Sequence, residues 1–505
     1  MQRDGATISL WQHNIPDYVS QTHSLPEITY DVLIVGGGIT GISTGLLLQK
    51  AGKKCLIAEA ATIGFGTTGG TTAHLNNFMD SPYSEIAKNF GEDNAQLVCT
   101  AANNAIGLIK KNIADYNINC DFSEQKGYLF SQGEKQDKEL DEIYEASLKA
   151  GCHVIYSGSI PLPVTFRKAV LFENQAQFHS TKYLYGIAKA FEDAGGTLLQ
   201  GCRITNVKDG ESLEVTSDRG TIRAKALIYA THVPPGVNIL HFRCAPYRSY
   251  AMAIKLANDN YPANLAYDMY DPYHYYRTQE VDGEKYLIAG GEDHKTGHVE
   301  NTNMCFTKLE SYLRGYFNIE SIPFKWSSQY YQPVDGLPYI GHLPGNPSNV
   351  YVATGYGGNG ITYSHVAARV LTDILVKGSS EYEKLFSPAR VKPMAGFEDF
   401  IKESADVVAK LIGGLFPSPK MEELADMAHG EAKVVKYQGQ SIALFKDEGG
   451  KVHAVNPACT HIDCQVSWNN AERSWDCPCH GSRFNGDGKM LTAPARKDLE
   501  KIELK

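Results

Sequence analysis

Six residues near the C-terminus have the types and spacing of a metal centre. Cys459-Thr460-His461 is followed, after 15 intervening residues, by Cys477-Pro478-Cys479-His480, with another thiol at Cys464. Two thiolates and two imidazoles on adjacent loops could hold one zinc ion tetrahedrally, although Cys-x-His is not the common zinc spacing. A second constellation lies near the other end. Gly36-Gly37-Gly38-Ile39-Thr40-Gly41 is followed 18 residues later by an acid, Glu59. Gly36 suits a tight turn, Gly38 a close approach of backbone to a pyrophosphate, and Gly41 close packing of helix on strand. The N–H groups and positive dipole end of such a helix would face the phosphates. Glu59 could accept hydrogen bonds from both hydroxyls of an adenosine ribose. This unit predicts a dinucleotide site and leaves FAD and NAD open.

The elements around these residues fit both predictions. Residues 30–35 read as a buried parallel strand, 39–51 as a helix closed by Gly52, and 54–58 as a second strand. Short alternating or aromatic runs at 249–254, 274–278, 285–291 and 326–332 read as strands, with Tyr275, Tyr276 and Arg277 alternating on one of them. Gly355 to Gly360 is too glycine-rich for core. It precedes an apolar-periodic stretch, 363–376, so a helix starting there would aim its N–H groups at something negative. A helical stripe follows at 396–416. The pattern then breaks at about 413–421, and strands resume at 432–438, 441–446 and 451–456.

Composition narrows the class. At about 150 residues per domain, a length of 505 predicts two to four domains, and a hydrophobic fraction of 43% excludes a disordered chain. With 48 basic and 57 acidic residues, the net charge of −9 gives no reason to expect nucleic acid or an anionic membrane as partner. No apolar run approaches the roughly 18 residues of a spanning helix, and the start lacks a signal pattern, so a soluble cytoplasmic protein is expected. The eleven cysteines are an odd number, which argues against a secreted disulfide framework. Cys55, Cys99, Cys120, Cys152, Cys202, Cys244 and Cys305 are dispersed and are expected as buried core thiols. There is no P-loop lysine motif, Gly-x-Ser-x-Gly elbow, His-Glu-x-x-His motif or tandem repeat.

Beyond the glycine unit, 66–73 (Gly-Thr-Thr-Gly-Gly-Thr-Thr-Ala), 226–231 (Ala-Leu-Ile-Tyr-Ala-Thr), 333–341 (Pro-Val-Asp-Gly-Leu-Pro-Tyr-Ile-Gly) and 355–362 (Gly-Tyr-Gly-Gly-Asn-Gly-Ile-Thr) resemble the ordered motifs of the D-amino-acid-oxidase-like FAD oxidoreductases. Glycine, sarcosine and gamma-glutamylputrescine oxidases belong to that family. The resemblance implies an α/β FAD-binding Rossmann-type domain, in pieces at about 28–80, 180–240 and 333–380. An interleaved antiparallel β-sheet substrate domain would occupy about 81–179 and 245–332, within a unit spanning 1–390. It implies FAD contacts at Gly36, Gly38, Ile39, Thr40, Gly41 and Glu59, at Thr67, Thr68 and Gly69, at Ile204 and Thr231, and at Gly355, Gly358, Asn359, Gly360, Ile361 and Thr362. The helix after Gly360 would stabilise the reduced flavin's negative end. Catalytic candidates are Arg277, as a clamp for a substrate carboxylate, with Tyr276 and His74. Family members with a histidyl flavin carry it nearer Thr71 than His74, which favours non-covalent FAD.

The C-terminal run, with Cys-Pro-Cys-His-Gly-Ser as its specific part, resembles the all-β Rieske [2Fe–2S] domain, in which two thiolates hold one iron and two imidazoles the other. Carried across, Cys459 and Cys477 would bind one iron, and His461 and His480 the second. Cys464 and Cys479 match the inter-loop disulfide of cytochrome bc-type domains. Ser482 is retained where those domains donate a hydroxyl to the cluster. Phe484 replaces a second donor, a tyrosine, which predicts a potential below the top of the roughly −150 to +300 mV Rieske range. Pro494 resembles the shielding third loop. The domain would span 421–505, after a helical linker at 391–420.

Together these features imply a converter. A substrate C–H beside an amine or hydroxyl would reduce FAD, single electrons would pass to the cluster, and its exposed histidines would deliver them to an external acceptor, protein or quinone. Such a protein is a dehydrogenase acting on a small molecule, an amine or amino acid by family weight. Two alternatives are an electron-transfer component relaying charge between a protein partner and FAD, and a redox sensor without turnover.

Overall fold

The computed structural model describes residues 3–390, 427–437 and 439–503. The linker expected at 391–420, with its helical stripe at 396–416, lies outside the described residues. Thr29–Val35 forms the central strand, flanked in parallel by Cys55–Ala58 and Gly220–Tyr229. Val350–Thr354 extends the sheet on one side and Thr197–Leu199 on the other, again in parallel. Tyr339–His342 closes one edge in antiparallel fashion. Apolar runs with both faces covered are what a parallel sheet requires. The helices Ile39–Lys50 and Gly360–Lys377 pack on each other against it.

The second sheet is mainly antiparallel, in the order Ile319–Pro333, Cys244–Leu256, Glu284–Lys295, Tyr275–Val281, Leu265–Asp268, Ser123–Ser131, Lys168–Gln177, His74–Leu75. Four short strands expected from the sequence are longer here. Residues 249–254 are the middle of a 13-residue strand and 326–332 the end of a 15-residue one. Their extensions mix apolar, polar and charged side chains without regular alternation, and backbone pairing with the neighbouring strands holds them. The seven dispersed cysteines are buried, with Cys99 Sγ and Cys152 Sγ 2.8 Å apart.

The C-terminal module has a three-stranded sheet, Ala432–Tyr437, Gln440–Lys446 and Val452–Val455, and a four-stranded one, Ser467–Asn469, Ser474–Asp476, Arg483–Asn485 and Met490–Thr492. The N-terminal segment joins it to the sheets described above. Asp4 pairs with Arg483, and the Ala6 N–H donates to Glu472. No helix among the described residues is long and apolar enough to cross a membrane.

Candidate flavin site and cluster loops

The glycine turn is built by close approach. Gly36 has φ +112°, and a Cβ there would lie 2.5 Å from the Ala230 carbonyl oxygen. A Cβ on Gly41 would lie 2.0 Å from the Gly36 carbonyl oxygen, so helix and strand meet only because both residues are glycine. Glu59 accepts from Gly37 N–H at 2.6 Å and Ala61 N–H at 2.8 Å. Burial pushes its carboxyl up, while those N–H groups and Arg203 pull it down.

A cavity of about 540 Å³ runs from this turn between the two large sheets. It is lined by Gly36, Gly38, Ile39, Thr40 and Glu59, by Thr67, Thr68, Ile204 and Thr231, and by Gly358, Gly360 and Ile361. The remaining residues expected at FAD stand behind that wall. Gly69, like Gly41, is a packing glycine, since its Cβ would lie 2.3 Å from the Gly64 carbonyl oxygen. Gly355 has φ +77° in the turn before the helix. Asn359 accepts from Asp80 N–H, and Thr362 donates to the Asn76 carbonyl. The lining fits a dinucleotide, with a carboxylate at one end, glycine backbone in the middle and a helix N-terminus at the other.

Of the catalytic candidates, His74 lines the cavity. Its ring packs against Tyr267 and Tyr275, and burial, then the Arg277 charge, lowers it to about 3, leaving a neutral imidazole. Arg277 is not among the lining residues. It is fully buried and donates to the carbonyls of Thr72, Ala73 and Phe178 and to Gln279 Oε1, so it braces the chain behind His74 and stands off the cavity wall, where a carboxylate clamp would need to be. Tyr276 points to the opposite face of its strand, against Phe317. Tyr275 is the member of that strand on the cavity wall.

In the C-terminal loops, Cys464 and Cys479 form a disulfide. Cys459 and Cys477 are fully buried free thiols. His461 and His480 have ring centroids 5.0 Å apart, and Nδ1 of each is buried without a hydrogen-bond partner. His461 Nε2–H donates to the Gly236 carbonyl at 3.3 Å. A ring nitrogen bound to a carbonyl, with the other left free, is how metal-ligating histidines are oriented. Two thiols and two orphaned imidazole nitrogens therefore fit a Rieske cluster.

The sequence profile of the FAD dependent oxidoreductase family (DAO) matches residues 31–374, and that of the Rieske [2Fe-2S] domain matches 419–503. The chain belongs to the FAD dependent oxidoreductase family. It is 36% identical over 477 residues, 94% of this chain and 93% of the relative, to YhfW of Bacillus subtilis (strain 168), provisionally named a Rieske 2Fe-2S iron-sulfur protein. Gamma-glutamylputrescine oxidoreductase of Escherichia coli (strain K12) is 25% identical over 389 residues, 73% of this chain and 89% of that protein. The crystal structure of glycine oxidase from Geobacillus kaustophilus matches with a TM-score of 0.59 at 18% identity, over 72% of this chain and 99% of that one. This is an FAD-dependent oxidoreductase with a Rieske domain, and its cofactors are FAD and a [2Fe–2S] cluster.

The contact between the oxidoreductase and Rieske units carries the main correction to the sequence reading. The histidines expected to be exposed face the oxidoreductase unit, His461 keeping only part of its surface open. His480 is buried, and His241, a residue not anticipated, lies 4.6 Å from the His461 ring and 5.8 Å from that of His480. Tyr331 donates to the His480 carbonyl at 3.2 Å, and Gln329 to the Gly481 carbonyl at 2.8 Å. Tyr331 and His232, whose rings are 4.7 Å apart, both line the flavin cavity. Rieske residues Met490 to Ala493, Ala495 and Arg496 line it too. One tyrosine thus spans from cavity wall to cluster loop.

Glu59→Ala removes the carboxylate at the ribose end. It is expected to weaken FAD by about 1.5–3 kcal/mol for each charge-assisted hydrogen bond lost, read as FAD dissociation during dialysis. Retention of FAD at the wild-type affinity would refute the ribose role.

Proposed function

We propose that the protein is an amine or amino-acid dehydrogenase that sends substrate electrons from FAD through the Rieske cluster to an external acceptor. The observation that carries this reading is the Rieske domain's place. Its histidine edge is seated on the oxidoreductase unit, and its third loop lines the flavin cavity. FAD accepts a hydride and releases electrons singly, and a [2Fe–2S] cluster carries one at a time. The protein's part is to hold the two sites together. Tyr331 and Gln329 fix the His480-Gly481 loop, and Gly236 orients His461. The gamma-glutamylputrescine oxidoreductase relative supports an amine-type donor.

Exit is assigned to the edge where the oxidoreductase unit frames the histidines. Val237, Ile239 and Phe242 are 68%, 44% and 49% exposed, and the Phe242 ring lies 5.5 Å from that of His480. A protein or quinone acceptor meeting this apolar rim would come close to the half-buried His461 and the buried His480. The dispersed buried thiols, which carry no disulfide among the described residues, suit the cytoplasm.

The test is anaerobic mixing with an amine and amino-acid panel, following flavin bleaching optically and the reduced Rieske signal by electron paramagnetic resonance. Reduction of the cluster only after flavin bleaching is expected. Stoichiometric peroxide in air with an oxidised cluster would overturn the reading. Phe242→Asp is expected to slow electron delivery to an added acceptor about tenfold or more while leaving cluster reduction by substrate intact. Equal slowing of both steps would remove the exit assignment.

A further inference from the structure

The substrate end of the cavity is acidic and aromatic. Asp293 reaches it through a β-bulge. Arg248 pairs with His294 and Tyr250 with Gly291, so Ser249 opposes two residues, Glu292 and Asp293, and Glu292 takes φ +56°. Asp293 is half-buried on the cavity wall, its Oδ2 accepting from Tyr330 O–H at 2.9 Å. Asp80 lies near it, accessible from the cavity, its Oδ2 accepting from Gly358 N–H at 2.5 Å. Tyr267, Tyr273 and Tyr275 complete the wall with Tyr330, and the Tyr273 and Tyr275 ring centroids are 6.0 Å apart.

Among the described residues no cationic side chain lines this end. The described lining residues include two cationic side chains, Arg203 beside Glu59 and Arg496 on the Pro235 carbonyl, both away from the tyrosines. His74 is neutral, and Arg277, whose charge acts on His74 and Tyr267 from behind the wall, is fully buried and is not among the lining residues. An α-amino acid entering here would set its carboxylate among two carboxylates with no guanidinium to receive it. An ammonium group would find the Asp293 carboxylate, half-buried on the cavity wall, and the tyrosine rings, the two surroundings that bind cations best. Burial pushes Asp293 up to about 7, with hydrogen bonds from Ser249 and Tyr330 and the charge of His274 opposing and the charge of Asp80 adding to it. A bound cation would hold it ionised at neutral pH.

Building on the amine-oxidising reading, we propose that the pocket selects cationic amines that lack a carboxylate beside the reacting carbon, with Asp293 as the residue that binds the ammonium group. The test needs no turnover. FAD-loaded full-length protein is titrated in air with propyltrimethylammonium and, separately, with butyrate, by calorimetry and by the shift of the flavin absorption band. Saturable binding of the cation is expected, with butyrate at least tenfold weaker. Asp293→Asn is expected to weaken the cation at least tenfold, and Asp293→Glu to restore part of the loss. Butyrate binding as tightly as the cation, or no cation binding at all, would overturn the proposal on wild-type protein alone, whatever the fate of the variants. Unchanged cation affinity in a folded, flavin-loaded Asp293→Asn protein would remove the assigned residue. Because binding is read without reduction, cation binding combined with failure of any amine to bleach the flavin would sink the dehydrogenase reading and leave this one standing.

Discussion

Arg483→Met is expected to destabilise the attachment of the Rieske unit by about 3–5 kcal/mol, the usual cost of removing one member of a buried ionic network. Arg483 has no exposed surface. It reaches Asp4 Oδ2 at 2.9 Å, Asp476 Oδ1 at 3.2 Å and Glu472 Oε2 at 3.8 Å. Arg3 and Arg248 complete the set, Arg248 lying 3.4 Å from Asp476 and donating to Ser327 Oγ at 2.9 Å. Three buried guanidinium groups, one each from the N-terminal segment, the substrate sheet and the Rieske module, thus balance three buried carboxylates, Asp4 of the N-terminal segment and Glu472 and Asp476 of the Rieske module. Burial alone would raise Asp476. Arg483 and Arg248 overcome that push and hold it below its ordinary value. With methionine at 483 the carboxylates outnumber the cations in a place water does not reach, and the cheapest relief is to separate the modules. The measurement is the urea midpoint for loss of the cluster's visible absorbance, which reports the Rieske unit. Arg483→Lys is expected to recover only part, since one ammonium cannot serve Asp4 and Asp476 as a planar fork does. A midpoint unchanged in Arg483→Met would mean that this network does not hold the modules together.

The sequence made the two cofactor-binding units legible and left their meeting invisible, for a physical reason. A glycine turn and a cluster loop are written in short motifs: Gly36 and Gly41 within one turn, and Cys459 with His461 or Cys477 with His480 within one loop, so type and spacing carry the signal. The Asp4–Arg483 and Arg248–Asp476 pairs join residues hundreds of positions apart, and each residue alone looks like an ordinary surface charge. His241 carries no spacing signal relative to His461. Arg277 misled because its strand does border the cavity, while its side chain is spent on the carbonyls of Thr72 and Ala73. Asp293 had a faint signal in Gly290-Gly291, since paired glycines inside a strand often mark a bulge, but nothing local shows which side chain the bulge turns inward. The outward-facing histidines were expected from Rieske domains read as free modules. Here the module is docked, and the docking surface is built from Gly236, His241, Gln329 and Tyr331.

Gly481→Ala is expected to uncouple the two redox sites while sparing each. Gly481 directly follows His480, has φ +76°, and sits where a Cβ would lie 2.6 Å from Tyr331 Oη, 2.7 Å from Gln329 Nε2 and 2.8 Å from Pro246 Cβ. Alanine at that φ costs about 1–2 kcal/mol, and the clash adds to it, because the obstructing groups are held by their own hydrogen bonds to His480 and Gly481. The loop can keep its shape only by lifting from the oxidoreductase unit. Lifting the loop lengthens the route between the two redox sites, so under the proposed electron path the cluster should reduce several-fold more slowly after substrate is added, with flavin bleaching unchanged. Iron content and the visible spectrum separate uncoupling from cluster loss. Gln329→Leu provides an independent check, since it removes the donor to the Gly481 carbonyl without altering a Rieske residue, and a smaller slowing in the same direction is expected. If Gly481→Ala retains its iron and its cluster still reduces at the wild-type rate, the contact of Tyr331 and Gln329 with the cluster loop is not the electron path, and the flavin and cluster must communicate elsewhere.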